Sequence, residues 1–182
     1  MKILVVVDMQ NDFITGSLGT PEAEAIVSAV DAKIQEYANN GDCVVFTRDT
    51  HFDNYLETNE GLHLPVLHCI EGTDGWQITD AIYQPDNATV INKKTFGCYA
   101  LPDCLMEWYI NDPTITVESI ELVGLCTDIC VISNALILKS YFTNDHAAIP
   151  IKVDARCCAG VTPESHVAAI TTMKMCQIEV EE

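Results

Sequence analysis

The feature that most constrains the fold is a series of short apolar segments, each of which ends in polar residues. Residues 1–7 include three consecutive valines, and the run ends at Asp8. A β-branched run of this length predicts a strand that is buried on both faces of a parallel sheet. Segments of the same kind occur at 43–46, 88–91, 119–123 and 149–153.

Helical segments separate these strands. The clearest covers residues 21–37, and its apolar side chains fall on one face: Ile26, Val30, Ile34 and Tyr37. Further helices are expected at 103–109, 129–138 and 163–175, with a last edge strand at 177–180. The alternation predicts an α/β fold, a three-layer αβα domain with a mainly parallel central sheet of about six strands. The whole chain, residues 1–182, is expected to form this single domain.

Composition excludes several classes of partner. The formal net charge is −18, and Lys and Arg together supply only nine residues, which argues against nucleic acid and against an anionic membrane surface. No apolar run approaches the roughly 20 residues that a bilayer span needs. The nine cysteines are an odd number that lies in core-like segments, and no signal peptide precedes them, so a reduced, cytoplasmic protein is expected.

Polar residues follow the strands at the positions where ligands bind in parallel sheets. Asp8, Asp49 and Lys93 each come at or after the end of a predicted strand, and so does the segment that leads to Cys130. The carboxyl ends of parallel strands share one edge of the sheet, where α/β proteins bind ligands. These groups are therefore expected to meet there.

Cys130 suits a nucleophile because residues 124–131 join a buried strand to a helix. The positive end of a helix dipole stabilises a thiolate, and nearby backbone N–H groups can hold an oxyanion. Asp8 offers a base and Lys93 a cation for this thiol. Taken singly, each residue also has a structural explanation: a packed thiol, a turn aspartate, and a solvated lysine beside Lys94.

A second polar group could hold a metal ion. Asp49 and His51 follow the second strand, and His68 lies in a long segment without regular periodicity at 52–75. Two imidazoles and a carboxylate suit zinc, or iron or manganese less selectively. Solvated loop residues are the alternative interpretation.

Four stretches of the chain resemble the isochorismatase-like cysteine hydrolases and, within them, the nicotinamidases. They are residues 5–13, 93–97, 124–131 and 154–163. The resemblance implies a catalytic triad of Asp8, Lys93 and Cys130. Lys93 is chosen over Lys94 because the family's lysine stands three residues before an aromatic residue, here Phe96.

The resemblance also implies details of the nucleophile segment and of the metal site. A cis peptide is expected at Leu125-Cys126, clamped by Thr127, with the N–H groups of Cys126 and Cys130 forming the oxyanion hole. The metal ligands are expected to be Asp49, His51 and His68, with a variable fourth ligand. Glu60 is the best match for that ligand by position, followed by Glu57 and His63.

Aromatic residues near the motifs suggest a wall for a flat substrate: Phe13, Phe96 and Tyr99. One departure concerns this wall, because some nicotinamidases place a tryptophan shortly before the second metal histidine, where this chain has residues 64–67 without one. His146 and His166 are interpreted as structural or solvated.

The expected function is therefore cysteine-dependent hydrolysis of a small-molecule amide, nicotinamide first, through a thioester and with a divalent metal, zinc before iron or manganese. Other family reactions on ureido or N-carbamoyl compounds are an alternative, and so is a catalytically silent binding module. Hydrolysis of an isochorismate vinyl ether is disfavoured because true isochorismatases generally carry a different residue at the position of Cys130. The family often forms oligomers, so a homo-oligomer is expected.

Overall fold

The computed structural model describes residues 1–143 and 149–182 of the chain; His146 lies outside the described residues. The described strands form one sheet, and every pair of neighbours is parallel. The strands are β1 Lys2–Val7, β2 Cys43–Asp49, β3 Thr89–Lys93, β4 Ser119–Leu125, β5 Ile151–Ala159 and β6 Glu179–Glu181. Their order in the sheet is β3-β2-β1-β4-β5-β6, which confirms the predicted parallel α/β architecture.

Six α-helices accompany the strands in the described part of the chain. They are α1 Asn11–Ile14, α2 Pro21–Asn39, α3 Asn59–His63, α4 Leu101–Leu105, α5 Ile132–Phe142 and α6 Pro163–Met175. The two longest begin with capping threonines: the Thr20 side chain accepts from the Ala23 N–H, and Thr162 forms a capping box with Ser165. None of the described helices has the length and apolar character needed to cross a membrane.

Helices cover both faces of the sheet, as the alternating pattern predicts. One apolar cluster joins α2 to Leu4 and Val6 of β1. The other joins α4, α5 and α6 to Ile3, Val5 and Val7, because successive side chains of a strand point to opposite faces. The α2 face is buried through the predicted positions together with one alanine: Ala23, Ile26, Val30, Ile34 and Tyr37.

The direction in which strands are added reverses at β1. The chain builds β2 and β3 on one side of β1 and then crosses to place β4 on the other side. Such a switch point leaves a crevice beyond the carboxyl ends of the two central strands. Val7 pairs with Gly124 there, so Asp8 and the segment that leads to Cys130 emerge side by side.

Four strands are longer than the sequence pattern indicates, and the difference is largest for β2 and β5. β2 continues to Asp49, whereas the apolar run ends at Phe46. β5 spans Ile151–Ala159, whereas the predicted strand is 149–153. Backbone pairing with neighbouring strands, which does not require apolar side chains, carries both strands forward. The extended β2 places Asp49 beside Lys93 in the register of the sheet.

We expect Gly124→Ala to destabilise the fold by about 3 kcal/mol, because two penalties act at this position. Gly124 has a φ of 115°, and a Cβ there would lie 2.2 Å from the Val7 carbonyl oxygen. Gly41→Ala is the matched control: its φ is 74°, but nothing lies within 4 Å of its added Cβ. Only the backbone penalty of about 1 kcal/mol is expected there. Denaturant unfolding of both variants measures the difference, and equal losses would contradict a steric role for Gly124.

Candidate active site

Asp8, Lys93 and Cys130 meet in the crevice. The Lys93 Nζ lies 2.7 Å from Asp8 Oδ2 and 3.5 Å from the Cys130 Sγ. All three side chains are buried, with Asp8 fully enclosed. The structure therefore brings together the three residues that the sequence assigns to catalysis.

The two carboxylate oxygens of Asp8 have different surroundings. Oδ1 accepts a hydrogen bond from the Thr47 hydroxyl at 2.7 Å. Oδ2 faces Lys93, yet among the described residues no donor meets it with hydrogen-bond geometry. Asp8 also has a positive φ of 49°, an uncommon backbone conformation that its surroundings hold in place. One oxygen is fixed and the other is available to a proton.

Burial and charge set the protonation of this group. Burial raises the pKa of the Cys130 thiol well above its ordinary value, although Lys93 opposes the shift. Burial also raises the pKa of Asp8 against the attraction of Lys93. For Lys93, burial disfavours the ammonium form, but Asp8, Cys130 and Asp49 outweigh it and keep its pKa well above the ordinary value. Lys93 is thus cationic, and Cys130 rests as a thiol that needs a base.

The segment before Cys130 forms an unusual turn. The Leu125-Cys126 peptide is cis, in agreement with the resemblance, and a π-helical turn covers Thr127–Val131. The Cys126 carbonyl accepts from the N–H groups of Ile129 and Val131, on either side of Cys130 in the sequence. The hydroxyl of Thr127 lies 2.8 Å from the His166 Nδ1 of α6. His166 therefore contacts the nucleophile turn and is not merely a solvated residue.

Asn134 is a positioning residue that the sequence interpretation missed. It is fully buried in α5, where its Nδ2 donates to the Cys130 carbonyl at 2.8 Å and its Oδ1 accepts from the Cys98 N–H at 2.8 Å. These bonds tie the nucleophile helix to the loop that follows β3. An amide within the apolar pattern of residues 129–138 is the signal that could have identified it, because buried polar groups require partners.

Four predicted ligands lie together beside the triad. One ligand atom from each lies within 4.8 Å of the others: Asp49, His51, Glu60 and His68. Asp49 connects the two groups, since its Oδ1 lies 3.3 Å from the Lys93 Nζ and its Oδ2 lies 2.9 Å from the His51 Nε2. Of the three candidates for the fourth ligand, Glu60 is the one in this group.

The donor set fits a divalent cation. The Nδ1–H of His68 donates to the Val66 carbonyl at 2.8 Å, which leaves the Nε2 lone pair directed toward the carboxylates. The His51 Nε2 is buried and has no hydrogen bond of good geometry among the described residues. Two imidazole nitrogens and two carboxylate oxygens suit zinc, and other transition metals less selectively.

Without a cation, the four groups compensate one another's charges. Burial disfavours the imidazolium form of His51, but the nearby carboxylates of Asp49 and Glu60 outweigh it and raise the pKa of His51 to about 9. Burial would raise the pKa of Glu60, but His51 and His68 outweigh burial and lower it to about 2. A bound cation would take the place of the His51 proton, because imidazole ligates metals in its neutral form.

Gln10 holds the backbone of Asp49, the residue that connects the two groups, and was also missed. This fully buried side chain accepts from the Asp49 N–H at 2.7 Å and donates to the Asp49 carbonyl at 2.9 Å. It also donates to the Trp76 carbonyl at 2.9 Å. The long segment at 52–75 is thereby anchored at its far end next to Asp49. A glutamine two residues after Asp8 gives little indication of this role, because its partners are distant in sequence.

A cavity of about 280 Å³ opens over both groups. Phe13 and Phe96 line it together with Cys130, as expected for a substrate wall. Tyr99 is 80% exposed and is not among the described residues that line the cavity. Leu64 supplies an aliphatic surface in the segment that lacks a tryptophan. The remaining apolar lining was not anticipated: Leu18, Ile129 and Val161.

Several known proteins are similar to this chain in sequence and in architecture. The nicotinamidase/pyrazinamidase of Mycobacterium tuberculosis is 27% identical over 194 residues, covering 99% of this chain and 98% of that protein. The nicotinamidase of Saccharomyces cerevisiae is 32% identical over 109 residues, which is 45% of this chain and only 50% of that protein. The crystal structure of the Pyrococcus horikoshii pyrazinamidase, in complex with zinc, superposes with a TM-score of 0.83 and 26% identity, covering 100% of this chain and 98% of that chain.

The match to a family profile extends over nearly the entire sequence. The isochorismatase domain profile matches residues 2–182. It therefore includes every strand of the sheet and all the residues of the crevice described above. The chain belongs to the isochorismatase family.

Proposed function

We propose that this chain is a cysteine amidohydrolase that converts nicotinamide to nicotinate and ammonia. The observation that carries the proposal is the placement of Asp8, Lys93 and Cys130 beside a four-residue metal group, with Cys130, Asp49, Glu60 and His68 all lining one cavity. The relatives named as nicotinamidases support the choice of nicotinamide.

In the first half of the reaction, the Oδ2 of Asp8, which faces Lys93, accepts the proton of the Cys130 thiol. The sulfur attacks the amide carbonyl carbon, and the backbone N–H groups of Cys126 and Cys130 hold the resulting oxyanion. When the tetrahedral intermediate collapses, Asp8 returns the proton to the leaving nitrogen. Ammonia departs, and the acyl group stays on Cys130 as a thioester.

In the second half, water replaces ammonia. Asp8 takes a proton from the water as its oxygen attacks the thioester carbonyl carbon, and the same N–H groups hold the oxyanion. The carbon–sulfur bond then breaks, Asp8 gives its proton to the Cys130 sulfur, and the acid product loses its proton to solvent and leaves as nicotinate. Lys93 stabilises the negative charge that is shared between Asp8 and the sulfur throughout, since its ammonium lies within 3.5 Å of both.

The metal belongs to the substrate-binding part of the site in this proposal. Asp49, His51, Glu60 and His68 would hold a divalent ion, zinc first and iron or manganese second, which supplies a Lewis acid for the pyridine nitrogen. Phe13 and Phe96 would enclose the two faces of the ring. We also expect residues 1–182 to act as one domain, in a homo-oligomer, within the reducing cytoplasm, where its nine free thiols persist.

Ammonia release from a panel of amides tests the proposal. Nicotinamide and pyrazinamide are expected to be hydrolysed in a metal-dependent manner, and ureido and N-carbamoyl compounds at less than about one-hundredth of that rate, because they lack the ring nitrogen. Preferential hydrolysis of the N-carbamoyl compounds, unaffected by a chelator, would favour the other family reactions. No hydrolysis of any compound by the metal-loaded protein would support the silent binding module.

A further inference from the structure

A second hollow adjoins the inner cavity. Its volume is about 640 Å³, more than twice that of the inner cavity. Four residues line both spaces, which are therefore neighbours: Glu60, Leu64, Phe96 and Ile129. We call the second space the outer groove; Phe52, Asn54, Asn59 and Lys94 line its far side. Cys130 lines the inner cavity and is not among the described residues that line the outer groove, so a scissile amide must bind in the inner cavity.

Lys94 is the cation of the outer groove. Neighbouring residues of an extended chain point to opposite sides, and accordingly Lys93 at the end of β3 is buried whereas Lys94 is exposed. The Lys94 Nζ lies 4.6 Å from the centre of the Phe52 ring. None of the ion pairs within residues 1–143 and 149–182 includes Lys94.

Lys94 is set apart from the other cations by its place in a groove beside the inner cavity of a strongly acidic protein. Asp and Glu outnumber Lys and Arg by 27 to nine. Five other lysine and arginine side chains form ion pairs within the described residues, such as Lys33 with Asp154 and Lys174 with Glu182, whereas no ion pair there includes Lys2, Arg48 or Lys139. The side-chain amides of Asn54 and Asn59 add donors to the same groove. An ammonium and two amides favour an oxyanion as their ligand on this side of the groove, whereas the carboxylate of Glu60, which also lines the groove, faces His51 and His68.

We propose that the outer groove binds a carboxylate carried by the substrate on the side of its ring away from the scissile amide, with Lys94 as its ionic partner. A carboxylate fits better than a phosphate, since one lysine neutralises one negative charge and a dianion would remain repelled by the acidic protein. This inference rests on the proposed function, because the amide of the same molecule must reach Cys130. Binding the remote carboxylate would raise kcat/KM by holding the amide in place.

Matched substrates test the proposal in the metal-loaded protein. Nicotinamide with a propionate group on carbon 5 is compared with its methyl ester and with nicotinamide itself. We expect the acid to exceed the ester in kcat/KM by about ten-fold at low salt, with a smaller ratio at high salt. Lys94→Met should abolish this preference and leave the ester unchanged. Lys2→Met is the matched control, because it removes an exposed lysine at the opposite end of the sheet.

A binding measurement separates this inference from the proposed function. Calorimetric titration of the acid into Cys130→Ala protein, with and without Lys94→Met, measures the affinity for the acid in the absence of turnover. Acid binding that is about ten-fold weaker without Lys94 supports the groove even if no amide is cleaved, in which case only the proposed function fails. Equal kcat/KM for acid and ester, or equal binding with and without Lys94, overturns the inference while leaving nicotinamide hydrolysis intact.

Discussion

Replacement of Cys130 by alanine is expected to reduce nicotinamide hydrolysis by at least about 10⁴-fold, because the variant has no atom that can form the thioester. Asp8 and Lys93 would remain as an ion pair 2.7 Å apart, but water would have to attack the amide directly. Steady-state ammonia release measures the loss. A second readout is the acyl-enzyme mass in quenched reactions, which should be present in the unmodified protein and absent from the variant.

Cys157→Ala is the control for this experiment. Its thiol is 4% exposed and that of Cys130 is 5%, so the two substitutions remove sulfur atoms of similar burial. Cys157 packs in the cluster on the α2 face of the sheet, whereas Cys130 packs in the opposite cluster. The control should lose stability to a similar degree and keep its activity. Activity that survives in Cys130→Ala but falls in Cys157→Ala would refute the assignment of the nucleophile.

Most of this arrangement could be predicted because a parallel sheet converts sequence order into position. Asp8 comes directly after β1 and Lys93 is the last residue of β3, so both must lie at the same edge of the sheet. The helical period of the apolar residues also identified the buried face of α2. Prediction and structure differ at the strand ends. The prediction ends a strand where polar side chains begin, whereas backbone pairing continues the strand, as in β5.

The supporting residues were less accessible to prediction because their partners are remote in sequence. Gln10 contacts Asp49 across 39 positions, and Asn134 contacts Cys98 across 36. Neither residue belongs to a local pattern, since each is a single polar side chain whose role depends on tertiary packing. Tyr99 illustrates the opposite error: proximity in sequence to the lysine motif suggested a place in the cavity, but its side chain is 80% exposed.

The metal group depended on a different kind of prediction. Asp49 ends β2 and His51 follows it, so both could be placed by topology. Glu60 and His68 lie in the long segment that shows no regular period of apolar residues. The short helix α3 presents Glu60 toward the two histidines, and its N-terminal threonine, Thr58, caps the Gly61 N–H. His68 was a candidate from its residue type, with a solvated loop residue as the alternative, and resemblance to the family supported it and added Glu60.

His68→Ala is expected to lower the affinity for zinc by at least about 100-fold and to abolish hydrolysis of nicotinamide at limiting metal. The buried His68 ring lies 3.8 Å from Asp49 and 3.6 Å from Glu60, measured from its Nε2, so its removal leaves three ligands and an unfilled space. Elemental analysis of the purified protein and competition with a chromophoric chelator measure the affinity.

His63→Ala separates loss of a ligand from loss of any histidine in this segment. His63 lies on α3 near Glu60, but its Nδ1 contacts the Asn59 carbonyl and it is exposed. This variant should retain its metal.

The rate of Cys130 alkylation by iodoacetamide provides the third readout, because Lys93, Asp8 and Cys130 contact one another without His68. We expect His68→Ala to lose metal while its thiol reacts at a rate within about two-fold of the unmodified metal-free protein. If alkylation slowed in parallel with metal loss, His68 would have to support the triad itself. The proposed division of roles, in which the metal orients the ring and the triad cleaves the amide, would then be wrong.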